Sequence, residues 1–415
     1  MVLGDPVGGI RKHVHALLFG LDPGRFRILY FYPPDRLDKK GRADTEALAR
    51  KPNVILVPLG RVAKRPHPSD LANLVRISGT ARRYGCALFH GHGAKGGVYA
   101  RLAGLLNGGR AVYTPHGGVV HAQFGVVEHR IYWTIERALR RLTDVYVFES
   151  DYSRSVMTRR MSLGPGESSL VPNGVSPVFG SPRPGMAQRP RVAVIGVMRH
   201  EKGQDLALRT ARLLRDRGVV IDLVFAGDGP MRPKLGALAR DLGIADCVSF
   251  LGDLEDTTPV MDAADIVLIP SRFEAFGYVA LEALLRRRPV IAAKVGGLCE
   301  TVLDGVTGLL VADASAERFA AALFAMIDGT WRFDAAAPAI GHHLARFHEQ
   351  TMIASLAQLY GMLLNATPRS GDKRGPRSKR NVVSESGRRA DAISAGTGSI
   401  QDGANRLAQD KEIPL

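Results

Sequence analysis

The second half of the chain opens with residues 191–214, RVAVIGVMRHEKGQDLALRTARLL. Its first six residues form an almost entirely apolar run that ends at Gly196, which predicts a buried strand over 191–196. The residues that follow place Leu206, Leu213 and Leu214 on one face of a helix predicted over about 203–217. A strand that is apolar on both faces and runs directly into a helix is typical of a parallel sheet covered by helices.

The alternation of strands and helices continues beyond this segment. Further strands are predicted over 221–226, 248–252, 265–270, 289–293 and 308–311, with helices near 230–242, 277–287, 296–303 and 315–327. Together they predict a Rossmann-like, doubly wound α/β domain.

The first half repeats this pattern less regularly. Strands are predicted over 27–32, 54–57, 87–90, 111–114 and 145–148, and helices over about 69–83, 95–106, 126–142 and 151–160. Only residues 1–4 stand where the first strand should precede the glycine turn, so we expect that strand to be truncated or unusually short. The predicted fold class is α/β, with two Rossmann-like doubly wound domains.

Composition along the chain predicts where the domains end. We expect a first domain over 1–175, a linker over 176–190 that is rich in Pro, Gly and Ser, and a second domain over 191–345. A closing amphipathic helix is predicted over 346–365. Residues 366–415 contain few apolar side chains, which predicts a disordered basic tail.

The overall composition excludes several classes of protein. A length of 415 residues fits two domains, and 45% hydrophobic residues exclude a wholly disordered, collagen-like or coiled-coil chain. We expect no membrane-spanning helix, since no run approaches the ~18 uninterrupted apolar residues it needs, and no signal peptide. The three cysteines, Cys86, Cys247 and Cys299, are far apart, and we expect them to be reduced core residues of a cytosolic protein.

The excess positive charge lies in the first half of the chain. Residues 1–175 hold 26 Lys and Arg against 13 Asp and Glu, a net of +13 out of +16. Residues 176–365 hold 20 against 21, and residues 366–415 hold 10 against 6. A basic domain beside a neutral one indicates two different ligands, one of them polyanionic. Nucleic acid and an anionic lipid surface are both candidates, and a solvated basic face that only aids solubility is a third interpretation.

Two glutamates flank a predicted helix start in residues 270–282, PSRFEAFGYVALE. The helix begins near Gly277, where free N–H groups and the positive end of the helix dipole suit a diphosphate. Glu274 precedes Gly277, and Glu282 lies five residues beyond Gly277, about 7.5 Å along the helix axis. A nucleotide sugar carries hydroxyls on both sides of its diphosphate and fits that span. The alternative is that neither glutamate binds a ligand, and that one is exposed to solvent while the other forms an ion pair.

Two cations follow the first strand of the second domain. Residues 196–203, GVMRHEKG, place Arg199 and Lys202 over the C-terminal edge of the sheet, where open α/β sheets bind ligands. Such cations suit a departing diphosphate, because negative charge develops there as a glycosidic bond breaks. The alternative is that these two basic side chains are only exposed to solvent, as is common for basic residues in loops.

The first domain offers a histidine and a glycine pair at comparable positions. His116 follows the strand over 111–114, where it can hydrogen bond to a sugar hydroxyl or stabilise a positive charge that develops at the reacting carbon. The alternative is a purely structural role. Gly8 and Gly9 precede a helix and allow close approach of a phosphate. His90 and His92 lack zinc spacing and an acidic third ligand, so no metal site is expected.

An acidic run, residues 253–256 (DLED), precedes a helix predicted over 257–264. Acidic side chains at this position cap a helix and interact favourably with its dipole. We interpret the run as a cap rather than as a metal site.

Together these segments resemble family 4 of the retaining glycosyltransferases, in particular its bacterial surface-polysaccharide members. Glu274 and Glu282 match the E-x7-E motif of that family, and residues 201–203 match its EKG turn. Further matches are Gly8-Gly9-Ile10, Pro172-Asn173-Gly174-Val175, Gly227-Asp228-Gly229-Pro230, and Gly296-Gly297 with Glu300. The resemblance covers about residues 5–360 and implies the GT-B fold, in which two Rossmann-like domains face each other across a cleft.

The resemblance implies a role for each matching residue. Glu274 would hold the donor sugar, Glu282 the ribose and Lys202 the diphosphate. His116 would contact the sugar near the anomeric carbon. The predicted catalytic residues are thus His116 and Glu274, and the predicted donor-binding residues are Gly9, Asn173, Arg199, Lys202, Phe276, Gly277 and Glu282, with Phe276 and Gly277 acting through their backbone amides.

One departure from the family pattern affects the phosphate site. Where the family usually has Gly-Arg, this chain has Gly196-Val197. Arg199, two residues later, is the expected replacement.

The expected activity is retaining transfer of a hexosyl unit from a UDP- or GDP-sugar, without metal or other cofactor. The acceptor is expected to be a saccharide, or one linked to polyprenyl diphosphate, in surface polysaccharide synthesis. Residues 130–141 mix cations and aromatics on a helix, which predicts a cytoplasmic protein held peripherally on the anionic inner face of the plasma membrane. No nucleic-acid partner is expected, because no nucleic-acid-binding motif is present. The alternatives are a nucleotide-sugar 2-epimerase of the same architecture and a basic, non-enzymatic protein that binds nucleic acid or sugar nucleotides.

Overall fold

The computed structural model describes residues 1–4, 6, 8–63, 65–117, 126–181 and 186–366. Part of the predicted linker, and the predicted disordered tail beyond residue 366, lie outside the described residues.

The first half of the chain builds a parallel sheet with the strand order β3-β2-β1-β4-β5-β6-β7. Its strands are β1 (Val2–Leu3), β2 (Ile28–Tyr32), β3 (Val54–Pro58), β4 (Leu88–His92), β5 (Arg110–Thr114), β6 (Val145–Phe148) and β7 (Ser168–Leu170). The helices between them are α1 (Gly8–Gly20), α2 (Lys39–Leu48), α3 (Ser69–Arg83), α4 (Gly93–Asn107), α5 (Val126–Arg140) and α6 (Asp151–Met161).

The second half builds another parallel sheet, with the strand order β10-β9-β8-β11-β12-β13. Its strands are β8 (Arg191–Ile195), β9 (Asp222–Ala226), β10 (Val248–Phe250), β11 (Ile266–Ile269), β12 (Val290–Ala293) and β13 (Gly308–Val311). Its helices are α7 (Gln204–Asp216), α8 (Arg232–Asp241), α9 (Thr258–Ala263), α10 (Tyr278–Leu285), α11 (Leu298–Thr301), α12 (Ala316–Ile327) and α13 (Pro338–Ala345), and α14 (Glu349–Asn365) follows. Two doubly wound α/β sheets are thus present, as predicted.

The first strand is short, in agreement with the sequence. Its two residues lie in the middle of the sheet, where Val2 pairs with Phe31 on one side and with Gly91 on the other. Both residues of this strand are fully buried. The short strand therefore still connects the two halves of the first sheet.

The long closing helix α14 returns to the first domain. Its residues Met352, Leu356 and Tyr360 are buried in one apolar cluster with Leu17 and Leu18 of α1. Burying a leucine side chain contributes about 1.5–3 kcal/mol, so this contact holds the end of the described chain firmly against the first sheet.

Two details differ from the sequence-based expectations. In α7 the fully buried face is formed by Ala207, Leu208, Ala211 and Leu214, while Leu206 and Leu213 are only partly buried. Of the three cysteines, all of them free thiols, Cys299 is exposed and is not a core residue as expected. Its position in the first turn of the short helix α11 turns it toward solvent.

One residue of the acidic run at 253–256, Asp256, bonds to the start of helix α9. Asp256 Oδ1 accepts a hydrogen bond of 2.9 Å from the backbone N–H of Thr258 at the start of α9. Among the described residues, no helix is both long enough and apolar enough to cross a membrane.

Candidate functional site in the cleft

The two charged loops of the second domain lie side by side. Strands β8 and β11 are parallel neighbours in the sheet, so the segments that leave their carboxyl ends emerge at the same edge. This is the edge at which open α/β sheets bind ligands. The predicted basic and acidic segments therefore meet in space.

Close backbone contacts fix the two loops against each other. The N–H of Arg272 donates to the carbonyl oxygen of Glu201 at 2.8 Å. At Gly203 an added Cβ would lie 1.9 Å from the carbonyl oxygen of Pro270, so a side chain there would separate the loops. The guanidinium of Arg272 also makes a bidentate pair with Asp205 at 2.8 and 2.7 Å. The glycine of the EKG turn is thus required by packing.

Lys202 and Glu274 face each other across this junction. Lys202 Nζ lies 2.6 Å from Glu274 Oε2, and the two side chains are 32% and 17% exposed. A carboxylate and an ammonium are therefore held together at the sheet edge while still reaching solvent. The pair offers a hydrogen-bond acceptor for hydroxyls and a cation for an anionic group.

Helix α10 begins directly beside this pair. Its N-cap is Gly277, which has a φ of 100° and no side chain to cap the helix. The N–H of Ala280 donates to the carbonyl oxygen of Gly277 at 3.0 Å, and no N-cap side chain competes for the first N–H groups of the helix. The ring of Phe276 is buried in an apolar cluster with Phe347. The side chain of Phe276 is therefore not available to a ligand, and a contact of the donor with the backbone amides of Phe276 and Gly277 remains a prediction.

The first domain approaches the same helix start. An added Cβ at Gly9 would lie 3.0 Å from the ring of Tyr278. Three residues further along α1, the ammonium of Lys12 forms an ion pair with the carboxylate of Glu282. Two of the predicted donor-binding residues thus lie on opposite walls of one cleft, and Lys12 joins them as a residue that the sequence analysis did not identify.

Arg199 precedes the short 3-10 turn His200–Lys202 and is half-buried. Arg199 and Lys202 lie on the same loop, between β8 and α7. Its role at the phosphate remains a prediction.

His116 occupies an unusual backbone conformation at the end of β5. Its φ is 51°, a left-handed region that costs a residue with a Cβ about 1 kcal/mol or more. The ring points toward two other histidines: His92 Nδ1 lies 3.1 Å from His116 Nε2, and the His13 ring centroid is 4.9 Å from that of His116. Burial lowers the pKa of His116 well below its ordinary value, so the ring is neutral at pH 7.

Asn173 contacts one of these rings, that of His13. Its side chain is buried, and Oδ1 accepts a hydrogen bond of 2.7 Å from Nδ1 of His13. Through that bond Asn173 orients His13, another residue that the sequence analysis did not select. A direct contact of Asn173 with the donor remains a prediction.

A second set of contacts joins the two domains at the start of α6. The carboxylate of Glu300 accepts hydrogen bonds from the backbone N–H groups of Asp151 and Tyr152, at 2.9 and 2.8 Å. Ser150 donates its hydroxyl to the carbonyl oxygen of Ala275 at 2.6 Å. An acidic residue of the second domain therefore caps helix α6 of the first domain.

A buried carboxyl lies next to these contacts. Glu149 is almost fully buried, and its Oε1 accepts a hydrogen bond of 3.1 Å from Ser153. Burial is the largest influence on this group and raises its pKa to about 7, and the nearby carboxylate of Glu300 acts in the same direction. The carboxyl of Glu149 is therefore expected to change its charge near neutral pH.

Two protein-family models match the chain, one in each half. Residues 7–179 match the Glycosyltransferase Family 4 model. Residues 189–328 match the model for Glycosyl transferases group 1. The break between the two matches falls within the predicted linker.

A curated relative covers most of the chain. The GDP-mannose-dependent alpha-(1-6)-phosphatidylinositol monomannoside mannosyltransferase of Mycobacterium tuberculosis is 29% identical over 348 residues, which is 76% of this chain and 84% of that enzyme.

Solved structures have the same architecture. Sucrose-phosphate synthase from Thermosynechococcus elongatus superposes with a TM-score of 0.73 at 22% identity, covering 88% of this chain and 96% of that one. Anabaena Alr3699/HepE in complex with UDP-glucose superposes with a TM-score of 0.71 at 21% identity, covering 86% of this chain and 96% of that one. The predicted GT-B fold is confirmed.

Proposed function

Because this chain is a glycosyltransferase with the GT-B fold, built from a family 4 domain and a group 1 domain, we propose that it transfers a hexosyl unit with retention of configuration. The donor in this proposal is a UDP- or GDP-sugar, and the acceptor is a lipid-linked saccharide of surface polysaccharide synthesis. The observation that carries the proposal is the Lys202–Glu274 pair beside the start of α10.

The donor sits in this cleft with its diphosphate against the backbone amides at Gly277. Lys202 neutralises the diphosphate, and Glu274 accepts hydrogen bonds from the sugar hydroxyls. Glu282, further along α10, accepts from the ribose, and Arg199 supports the phosphates in place of the arginine that Val197 replaces. The neutral ring of His116 hydrogen bonds to the sugar near its anomeric carbon.

The reaction proceeds on the face that the leaving diphosphate vacates. Glu274 is held by Lys202 and Glu149 is buried, so neither carboxylate is presented as a nucleophile. The acceptor hydroxyl attacks the anomeric carbon as its bond to the diphosphate breaks, and a leaving phosphate oxygen takes the proton. The charge that develops on that oxygen is stabilised by Lys202 and by the amides of α10. Neither metal nor other cofactor has a step in this scheme.

The acceptor side is the basic first domain, and the helix α5 is its proposed contact with the membrane. The exposed face of α5 carries Arg130, Ile131 and Arg137, with Ile131 51% exposed. Trp133 is buried, and its indole donates to His129, so the aromatic contribution expected from the sequence is missing at this position. The remaining surface suits anionic headgroups through its cations. We place the protein on the cytoplasmic face of the plasma membrane.

The mycobacterial relative named above acts, by its name, on a phosphatidylinositol mannoside, which supports a lipid-linked acceptor here. Both family models and this relative are glycosyltransferases, which favours transfer over the 2-epimerase and over a non-enzymatic binding protein.

Product analysis tests the proposal. The full chain is incubated with UDP- and GDP-hexoses and with lipid-linked saccharide acceptors, and the anomeric configuration of the product is read by NMR. We expect a glycosidic bond with the configuration of the donor. An inverted product would disprove the retaining mechanism, and an epimerised nucleotide sugar without transfer would favour the epimerase.

A further inference from the structure

Three histidines from separate parts of the first domain converge at one point. His13 comes from α1, His92 from the end of β4 and His116 from the turn after β5. The ring nitrogens that they offer all lie within 4.8 Å of one another. His13 and His92 are buried and His116 is half-buried, so the three rings are held by packing rather than by chance contact on a surface.

Hydrogen bonding sets the orientation of His13. Its Nδ1 donates to Asn173 Oδ1 at 2.7 Å, which places the lone pair of the neutral ring on Nε2. This Nε2 is buried, and none of the residues that the structure describes provides a hydrogen bond to it. A histidine whose second nitrogen donates to an oxygen has the arrangement that protein metal ligands commonly show.

The spacing of His92 and His116 also fits a metal ion. Their facing nitrogens, Nδ1 and Nε2, lie 3.1 Å apart. Two nitrogens bound to one tetrahedral zinc ion at 2.0–2.1 Å are separated by about 3.3 Å. The observed separation is within about 0.2 Å of that value, so small rotations of the two rings away from their hydrogen bond would turn both nitrogens toward one ion. The ligand nitrogen of His13 lies within 4.8 Å of both.

A fourth histidine, His90, lies beside this group, with its ring centroid 3.9 Å from that of His92. His90 is excluded as a ligand, because both its nitrogens are engaged, with Tyr360 and with Thr114.

We infer that His13, His92 and His116 form a binding site for one divalent transition metal ion that prefers imidazole ligands, with Zn²⁺ as the representative ion. Three neutral nitrogen ligands leave a fourth tetrahedral position for water or an anion. Imidazole ligands favour zinc, copper, nickel and iron over magnesium and calcium, which prefer oxygen. The site does not serve the proposed transfer. If that proposal is correct, zinc here occupies His116 and inhibits the enzyme.

Metal binding is measured without any sugar nucleotide, so the result does not depend on the proposed function. The full chain, without a histidine tag, is titrated with Zn²⁺ against a chromophoric chelator. We expect one ion per chain, and we expect His13→Ala and His92→Ala each to weaken binding roughly tenfold or more. His342→Ala, which removes an exposed histidine of α13, is the matched control and should leave binding unchanged. Equal zinc affinity in all four proteins would overturn the inference.

A measurement on the unaltered protein covers the case in which a variant fails to fold. Zinc-edge X-ray absorption of the one-to-one complex counts imidazole ligands, and we expect three. A count of one or none, or a Co²⁺ complex with an octahedral rather than a tetrahedral spectrum, would refute the site.

Discussion

Lys202 Nζ lies 2.6 Å from Glu274 Oε2, although the two residues are 72 positions apart in the chain. The contact exists because β8 and β11 are adjacent parallel strands whose following loops are packed against each other. It places opposite charges beside the N-terminus of α10, at the point where the proposed donor carries its diphosphate and its sugar.

Removing either member of this pair should abolish transfer. We expect Lys202→Ala and Glu274→Ala each to lower kcat/KM roughly 100-fold or more, since each loses a contact that stabilises the transition state. Both side chains reach solvent, so the melting temperature should change little. Arg215→Ala is the matched control, because it breaks the ion pair with Asp246 on the surface of the same domain. Near-normal turnover in either cleft variant would show that the site assignment is wrong.

The cap that Glu300 provides should hold the two domains together. Glu300→Ala removes a carboxylate that accepts two hydrogen bonds, from the backbone N–H groups of Asp151 and Tyr152. Hydrogen bonds to charged groups contribute about 1.5–3 kcal/mol each, so we expect a more open cleft and a larger radius of gyration in small-angle X-ray scattering. Glu317→Ala, in the first turn of α12 within one domain, should leave the scattering unchanged. A scattering curve of Glu300→Ala identical to that of the unaltered protein would contradict this role.

Glu149 should make stability depend on pH. Its pKa is raised to about 7 in the folded protein from a reference value of 4.5, so the folded state binds this proton more tightly than the unfolded state. The free energy of unfolding therefore falls as pH rises from about 4.5 to about 7, by about 3 kcal/mol from this group. We expect the free energy of unfolding of Glu149→Gln to depend less on pH, and to exceed that of the unaltered protein at pH 8 but not at pH 4. Urea unfolding at both pH values measures this difference. If the free energy of unfolding changed equally with pH in the two proteins, Glu149 would not titrate in the folded protein as proposed.

The cations of α5 should bind anionic membranes. We expect the protein to co-sediment with phosphatidylserine-containing vesicles at low salt and to dissociate as salt rises. Each arginine near the surface contributes about 1 kcal/mol, so Arg130→Ala combined with Arg137→Ala should weaken binding roughly 10- to 30-fold. The control is Arg212→Ala combined with Arg215→Ala, which removes two cations from the exposed side of α7 in the other domain. Absence of binding at low salt would exclude the membrane proposal.

The strands of both sheets are largely predictable from the sequence, because buried parallel strands are short continuous apolar runs. β6 and β13 have the predicted bounds, and most of the others differ by one or two residues. The edge strand β7 (SSL) and the helix α2 (KKGRADTEAL) are not predicted, because neither has an apolar periodicity. The first is formed by pairing with β6, and the second is supported by its cap, Asp38, and by ion pairs of Asp44.

The candidate site is predictable only where it follows local rules. Lys202, Glu274 and Gly277 lie at carboxyl ends of predicted strands, so sequence position alone brings them to one edge. Contacts between distant segments have no such signal. Lys12 with Glu282, and His13 with Asn173, depend on how α1 lies in the cleft, and a one-dimensional pattern does not contain that information. In the sequence, only the polar residues that follow Gly9 along α1 indicate that this helix lies in the cleft.

A crystal structure of the full chain with UDP or GDP tests whether the cleft is the donor site. We expect the diphosphate to contact the backbone amides at Gly277 and the ammonium of Lys202, with the ribose hydroxyls on Glu282. A nucleotide bound elsewhere on the molecule, with Lys202 still paired to Glu274 and the amides of α10 untouched, would contradict the proposed function.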